Sequence, residues 1–63
     1  MEGHIPNTVE GVESVVGEKV ERVMSGTTFR VEKTNGFDVK LVEPRTGNVT
    51  WIGIENFAGF VRD

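Results

Sequence analysis

The chain has 63 residues, a formal net charge of −3 and no cysteine. It is therefore one domain near the lower size at which an apolar core can offset chain entropy, and disulfides, thiolate metal sites and a cysteine nucleophile are excluded. The acidity is N-terminal: residues 1–26 carry five acids (Glu2, Glu10, Glu13, Glu18, Glu21) against Lys19 and Arg22, whereas residues 27–63 carry five of each sign. Net acidity disfavours nonspecific nucleic-acid binding, which needs clustered Lys and Arg, although the neutral C-terminal part leaves room for a local basic patch.

Residues 1–7, Met-Glu-Gly-His-Ile-Pro-Asn, lack the basic start and apolar run of a secretory signal and read as a disordered terminus. No stretch approaches the roughly 18 apolar residues of a membrane span. A cytoplasmic domain without a membrane partner is expected. Downstream, Val9, Val12, Val16, Val20 and Val23 recur at intervals of three and four, and Asn7-Thr8-Val9-Glu10 resembles a capping box. Two readings follow. One is a single helix from about Thr8 to Met24 packed on a three-stranded meander, an α+β fold. The other is a short helical or irregular arm over 8–17 followed by a strand from Glu18 to Met24. Gly11, Gly17 and the abundance of valine lower helix propensity and favour the second.

Ser25-Gly26 marks a tight turn into Thr28–Lys33, where Phe29 and Val31 oppose Thr28, Arg30 and Glu32. Phe37–Glu43 alternates in the same way, with Phe37, Val39 and Leu41 on one face. A three-residue loop Thr34-Asn35-Gly36, closed by Gly36 in the left-handed region, pairs Val31 with Val39 and Phe29 with Leu41. That register sets Arg30 opposite Lys40 and Glu32 opposite Asp38, with attractive diagonals. A four-residue loop from Pro44 to Gly47 then pairs Val42 with Val49, Val39 with Ile52 and Phe37 with Ile54. Ile52 and Ile54 join the core. Trp51 falls on the opposite face beside Val42 and Val49 and across from Lys40. Phe57 and Phe60, three apart, predict a single helical or 3₁₀ turn whose rings plug the core before a last strand around Phe60 to Arg62. Residues 1–63 thus form one mainly β domain of about five strands, with the sheet core over 18–62.

The run Val16-Gly-Glu-Lys-Val-Glu-Arg-Val-Met-Ser-Gly-Thr-Thr-Phe-Arg-Val, with Phe37-Asp-Val-Lys-Leu and Thr50-Trp-Ile-Gly-Ile-Glu-Asn-Phe, resembles the layout of small SH3-like β-barrel proteins common in bacterial and phage genomes. The resemblance spans residues 16–62 and is one of strand and turn order. It implies a bent, partly open five-stranded barrel, a binding module, and a gene carried by a bacterium, phage or mobile element. Members of that architecture bind peptides, RNA, DNA or partner proteins, so the ligand is left open. The chain departs from proline-peptide-binding SH3 domains in having no tyrosine.

Few residues offer reactive chemistry. His4 is the only histidine and lies in the terminus, so a catalytic pair with an Asp or Glu would need the tail to fold back. Glu10, Glu13, Glu18 and Glu21 lack the ligand spacing and central glycine of a calcium loop. The glycines at 26, 36 and 47 sit where turns require them and form no phosphate cradle. Asn48-Val-Thr50 matches a glycosylation acceptor, without consequence in the absence of a secretory signal. No catalytic residue, cofactor or metal is expected.

Trp51 has two readings. Val9, Val12 or Val16 of the arm could cover Val42, Val49 and Trp51 as a second small core. Alternatively the patch is open and, with Lys40 and Arg30, forms an amphipathic contact surface. The expected function is a non-enzymatic protein-interaction module or small regulator, monomeric or weakly self-associating, with Trp51, Val42, Val49, Lys40 and Arg30 as the partner-binding residues. The alternative is a nucleic-acid-binding barrel in which Trp51 stacks beside Arg30, Lys33 and Lys40.

Overall fold

The computed structural model describes residues 4–63, and the expected disorder of Met1–Gly3 lies outside the described residues. The elements are α1 (Val9–Glu13), β1 (Lys19–Arg22), β2 (Thr28–Thr34), β3 (Asp38–Val42), β4 (Val49–Gly53), a 3₁₀ turn (Ile54–Gly59) and β5 (Phe60–Arg62). All strand pairs are antiparallel, in one open sheet of order β4-β3-β2-β1-β5. The fold is mainly β, as the alternation predicts. The long-helix reading fails at Glu13, where α1 ends. Val15 and Val16 then turn, and Gly17, at φ 85°, redirects the chain into the sheet.

Local side-chain bonds set the boundaries. Thr8, one residue later than expected, caps α1: its Oγ1 accepts from the Gly11 N–H at 3.0 Å. β1 is shorter than predicted because Val23–Gly26 is a four-residue turn, in which Gly26 N–H donates to Arg22 O at 2.7 Å. The β3–β4 turn repeats this geometry, with Gly47 N–H donating to Glu43 O at 2.7 Å. Each turn ends on a glycine with positive φ, 71° at Gly26 and 80° at Gly47, which other residues adopt at a cost. The predicted β3–β4 register holds throughout, from Val42–Val49 to Val39–Ile52.

The β2–β3 register departs from expectation. Val31 faces Leu41 and Arg30 faces Val42, a slip of two residues, and a β-bulge between Val31 and Lys33 then sets Lys33 against Lys40 and Thr34 against Val39. The anticipated Arg30–Lys40 and Glu32–Asp38 pairs do not form; Arg30 Nε instead lies 4.0 Å from Glu32 Oε1 on its own strand. The cause is the loop. Asn35 Oδ1 accepts from the N–H groups of Phe37 (2.9 Å) and Asp38 (2.7 Å), while Thr34 Oγ1 accepts from Gly36 N–H and donates to Asp38 O. These bonds hold Phe37 in the loop, 80% exposed, instead of on the core face. A slip of two preserves side-chain parity, so Phe29, Val31, Val39 and Leu41 still share the buried face.

The core is a single cluster in which Ile5, Val12 and Val15 pack with Val20, Phe29, Val31, Val39, Leu41, Phe57 and Phe60, and with half-buried Ile52 and Ile54 at its margin. Burying each such aliphatic side chain contributes about 1.5–3 kcal/mol before entropy is subtracted. Phe57 and Phe60 close one end as expected. Their rings stack at 5.2 Å between centroids, Phe29 meets Phe60 edge-on at 5.9 Å, and the Arg22 guanidinium lies over both Phe29 and Phe60.

The N-terminal segment corrects the expected disorder of residues 1–7 at its described end. Ile5 is buried in the core, and His4 bridges Val61 on the outer edge of β5. Gly11 makes this possible: a Cβ there would collide with the Pro6 carbonyl oxygen and come within 2.9 Å of the Pro6 Cβ. The glycine that weakens α1 by propensity is thus the one that lets the chain cross it.

Candidate functional site

Because the arm is drawn into the core by Val12 and Val15, it lies on the face that carries Val31, Val39 and Leu41. The outer face is left uncovered. The reading in which Val9, Val12 or Val16 shields the tryptophan is therefore corrected: Trp51 is 48% exposed and Val49 51% exposed, and Val16 faces solvent.

Strand pairing orders the outer face into rows, of which the two middle ones carry the candidate residues and the flanking ones carry the acids Glu21 and Asp38. One middle row runs Lys19, Arg30, Val42 and Val49 across β1, β2, β3 and β4; the next runs Lys33, Lys40 and Trp51 across β2, β3 and β4. All five residues singled out from the sequence, Trp51, Val42, Val49, Lys40 and Arg30, stand on this face. Its apolar end lies at β4 and its cationic end towards β1 and β2. Lys33 stands on this face too, beside Lys40 and Trp51 as the stacking platform read from the sequence had it, although strict alternation on β2 would set an odd position with Phe29 and Val31; the bulge turns it outward. Lys19 joins the upper row through its pairing with Arg30, a neighbour that the β2–β3–β4 reading did not include.

The electrostatics follow from this arrangement. Like charges set directly opposite across strands repel, and Lys33 faces Lys40 with neither in an ion pair within 4.0 Å among the described residues. Arg30 shares its charge with Glu32. An anionic group laid over β2 and β3 would relieve the lysine pair while its apolar neighbours met Trp51 and Val49. The remaining exposed large apolar side chains among the described residues sit elsewhere: Val16 in the turn before β1, Val23 and Met24 in the β1–β2 turn and Phe37 in the β2–β3 loop.

Among the described residues no cavity opens that could enclose a small molecule, no three His, Asp or Glu side chains converge as a metal site, and no helix is long and apolar enough to cross a membrane. Glu10, Glu13, Glu18 and Glu21 do not gather into a ligand cluster. No family model, curated protein or solved structure matches the chain.

Proposed function

We propose that the chain is a non-enzymatic, cytoplasmic binding module of SH3-like architecture that holds a partner protein on its outer sheet face. The single observation carrying this reading is the open row of Lys33, Lys40 and Trp51 beside Arg30, Val42 and Val49, on a domain whose other exposed large apolar groups, among the described residues, are confined to turns and loops. The strand order β4-β3-β2-β1-β5, with a 3₁₀ turn between β4 and β5, supports the SH3-like part. The partner segment that fits is acidic and aliphatic: carboxylates for Lys33 and Lys40, apolar side chains for Trp51 and Val49. Tryptophan and arginine are the residues most often found to dominate association energy.

A second reading rests on the same row. A ring beside three cations can stack a base of single-stranded nucleic acid, and stacking of this kind is tolerant of sequence. The net charge of −3 opposes it. One experiment separates the two: capture from an extract of the source cell at two salt concentrations, with the parent and with Trp51→Ala. A protein partner held through Trp51 resists nuclease, weakens only modestly with salt as its carboxylate contacts are screened, and is lost from Trp51→Ala, while a nucleic acid falls away steeply with salt and is removed by nuclease. Capture undiminished by Trp51→Ala, in a variant that melts with the parent, would defeat the assignment of the face.

A further inference from the structure

The two edges of the open sheet are unequal. On β5, His4 bridges Val61 and occupies the outer side. β4 has β3 on one side and no strand on the other among the described residues. The ladder fixes which of its backbone groups are unused. Glu43 N–H donates to Asn48 O and Ile54 N–H donates to Phe37 O, so the even residues of β4 bond to β3, and Val49, Trp51 and Gly53 turn their N–H and C=O groups to the open side.

Natural edge strands are ordinarily blunted by a charge, a proline, a bulge or a covering segment. Val49-Thr50-Trp51-Ile52-Gly53 has none of these, and its β-branched and aromatic side chains suit strand pairing. From this we propose that β4 is a self-association edge: a second copy of this chain adds its own β4 antiparallel about a two-fold axis through Thr50. That register sets Val49 of each copy against Trp51 of the other and brings Thr50 to Thr50, so the same patch meets itself, as a two-fold contact requires.

The ends of the strand favour a second copy over an unrelated peptide. In this arrangement the Pro44–Gly47 turn of one protomer lies beside the start of its partner's 3₁₀ turn, bringing Arg45 towards Glu55. Both residues are exposed and in no ion pair among the described residues, and the Glu55 carboxylate lies alongside Gly53 at the end of β4. The contact repeats by symmetry. The inference goes beyond the binding function proposed above, which needs no dimer, and it has a consequence for it: two Trp51 faces would lie in one continuous sheet.

Sedimentation equilibrium of the full chain alone, from about 1 µM to about 1 mM, tests the proposal with amide hydrogen exchange at both ends of the range. The expected result is a monomer–dimer equilibrium in which the Val49, Trp51 and Gly53 amides gain protection with concentration, Gly53 lying opposite the Gly47 carbonyl of the second copy in this register, while Thr50 and Ile52, already bonded to β3, do not change. Gly53→Pro should raise the dimer dissociation constant at least tenfold. Gly53 already has φ −68°, which proline adopts, its N–H is not used by β3, and the Cβ would meet only the flexible end of Glu55. Should that variant fail to fold, Val49→Pro at the first residue of the strand removes an equivalent donor. A parent that stays monomeric to the top of the range overturns the proposal. So does a dimer unaffected by proline, or one whose newly protected amides lie outside β4. Monomers whose Val49 and Trp51 amides become protected only when a partner protein is added would assign the edge to that partner and overturn self-association. Failure here leaves the role of Trp51 in capture standing, since that rests on Trp51→Ala.

Discussion

Gly11→Ala separates the folded contacts from helix propensity, because the two predict opposite signs. Propensity alone favours alanine over glycine inside a helix by about 1 kcal/mol, somewhat less in a helix as short as Val9–Glu13. The structure reverses this. The added methyl would strike the Pro6 carbonyl, which is backbone and cannot swing aside as a side chain can, so the segment from His4 to Pro6 must lift. Lifting it exposes Ile5 and breaks the His4–Val61 bridge. Loss of the Ile5 burial costs about 1.5–3 kcal/mol. The net expectation is a destabilisation of about 1–2 kcal/mol, or a fall in Tm of about 8–15 °C in a domain of this size, read by thermal and urea unfolding. If Gly11→Ala acts by displacing Ile5, then the double variant with Ile5→Ala should be less stable than Ile5→Ala alone by under about 0.5 kcal/mol. A Gly11→Ala protein melting at or above the parent temperature would refute the reasoning.

Leu41→Ala and Phe37→Ala should behave oppositely although alternation places both on the core face: Leu41, fully buried, should cost about 2–5 kcal/mol, and Phe37, exposed in the loop, within about 0.5 kcal/mol, in paired urea melts. A large loss at Phe37 would restore the register rejected above. Gly36→Ala and Gly47→Ala should each lower stability by about 1 kcal/mol through backbone strain alone, because both have positive φ and an added Cβ would meet nothing within 4 Å. Melts equal to the parent would show that these turns relax to other conformations.

The strands, the Pro44–Gly47 turn and the outer-face grouping of Trp51, Val42, Val49 and Lys40 could be read from alternation and turn chemistry because each depends on neighbours in the sequence. What escaped that reading depends on choices between close alternatives. At Thr34–Asp38, apolar matching favoured Val31 opposite Val39, but four local hydrogen bonds, three accepted by the Asn35 and Thr34 side chains and one donated by Thr34, outweighed it and moved the register by two. Parity survived, so the core residues were right and their partners wrong. The bulge that turns Lys33 outward has no composition signal, yet it completes the Lys33–Lys40–Trp51 row. Ile5 looked like part of a loose terminus because the partner for its side chain is formed by distant strands. Gly11 looked like a helix breaker because the contact with Pro6 exists only in three dimensions.

The open outer face is the central claim, and Trp51 reports on it directly because it is the only tryptophan. Collisional quenching of its fluorescence by acrylamide, in dilute protein where self-association is negligible, measures access to the ring. The half-exposed ring should be quenched readily, at a rate clearly above that of a buried indole and below that of free tryptophan. A ring shielded from the quencher in the folded monomer would contradict the account and show the face to be covered.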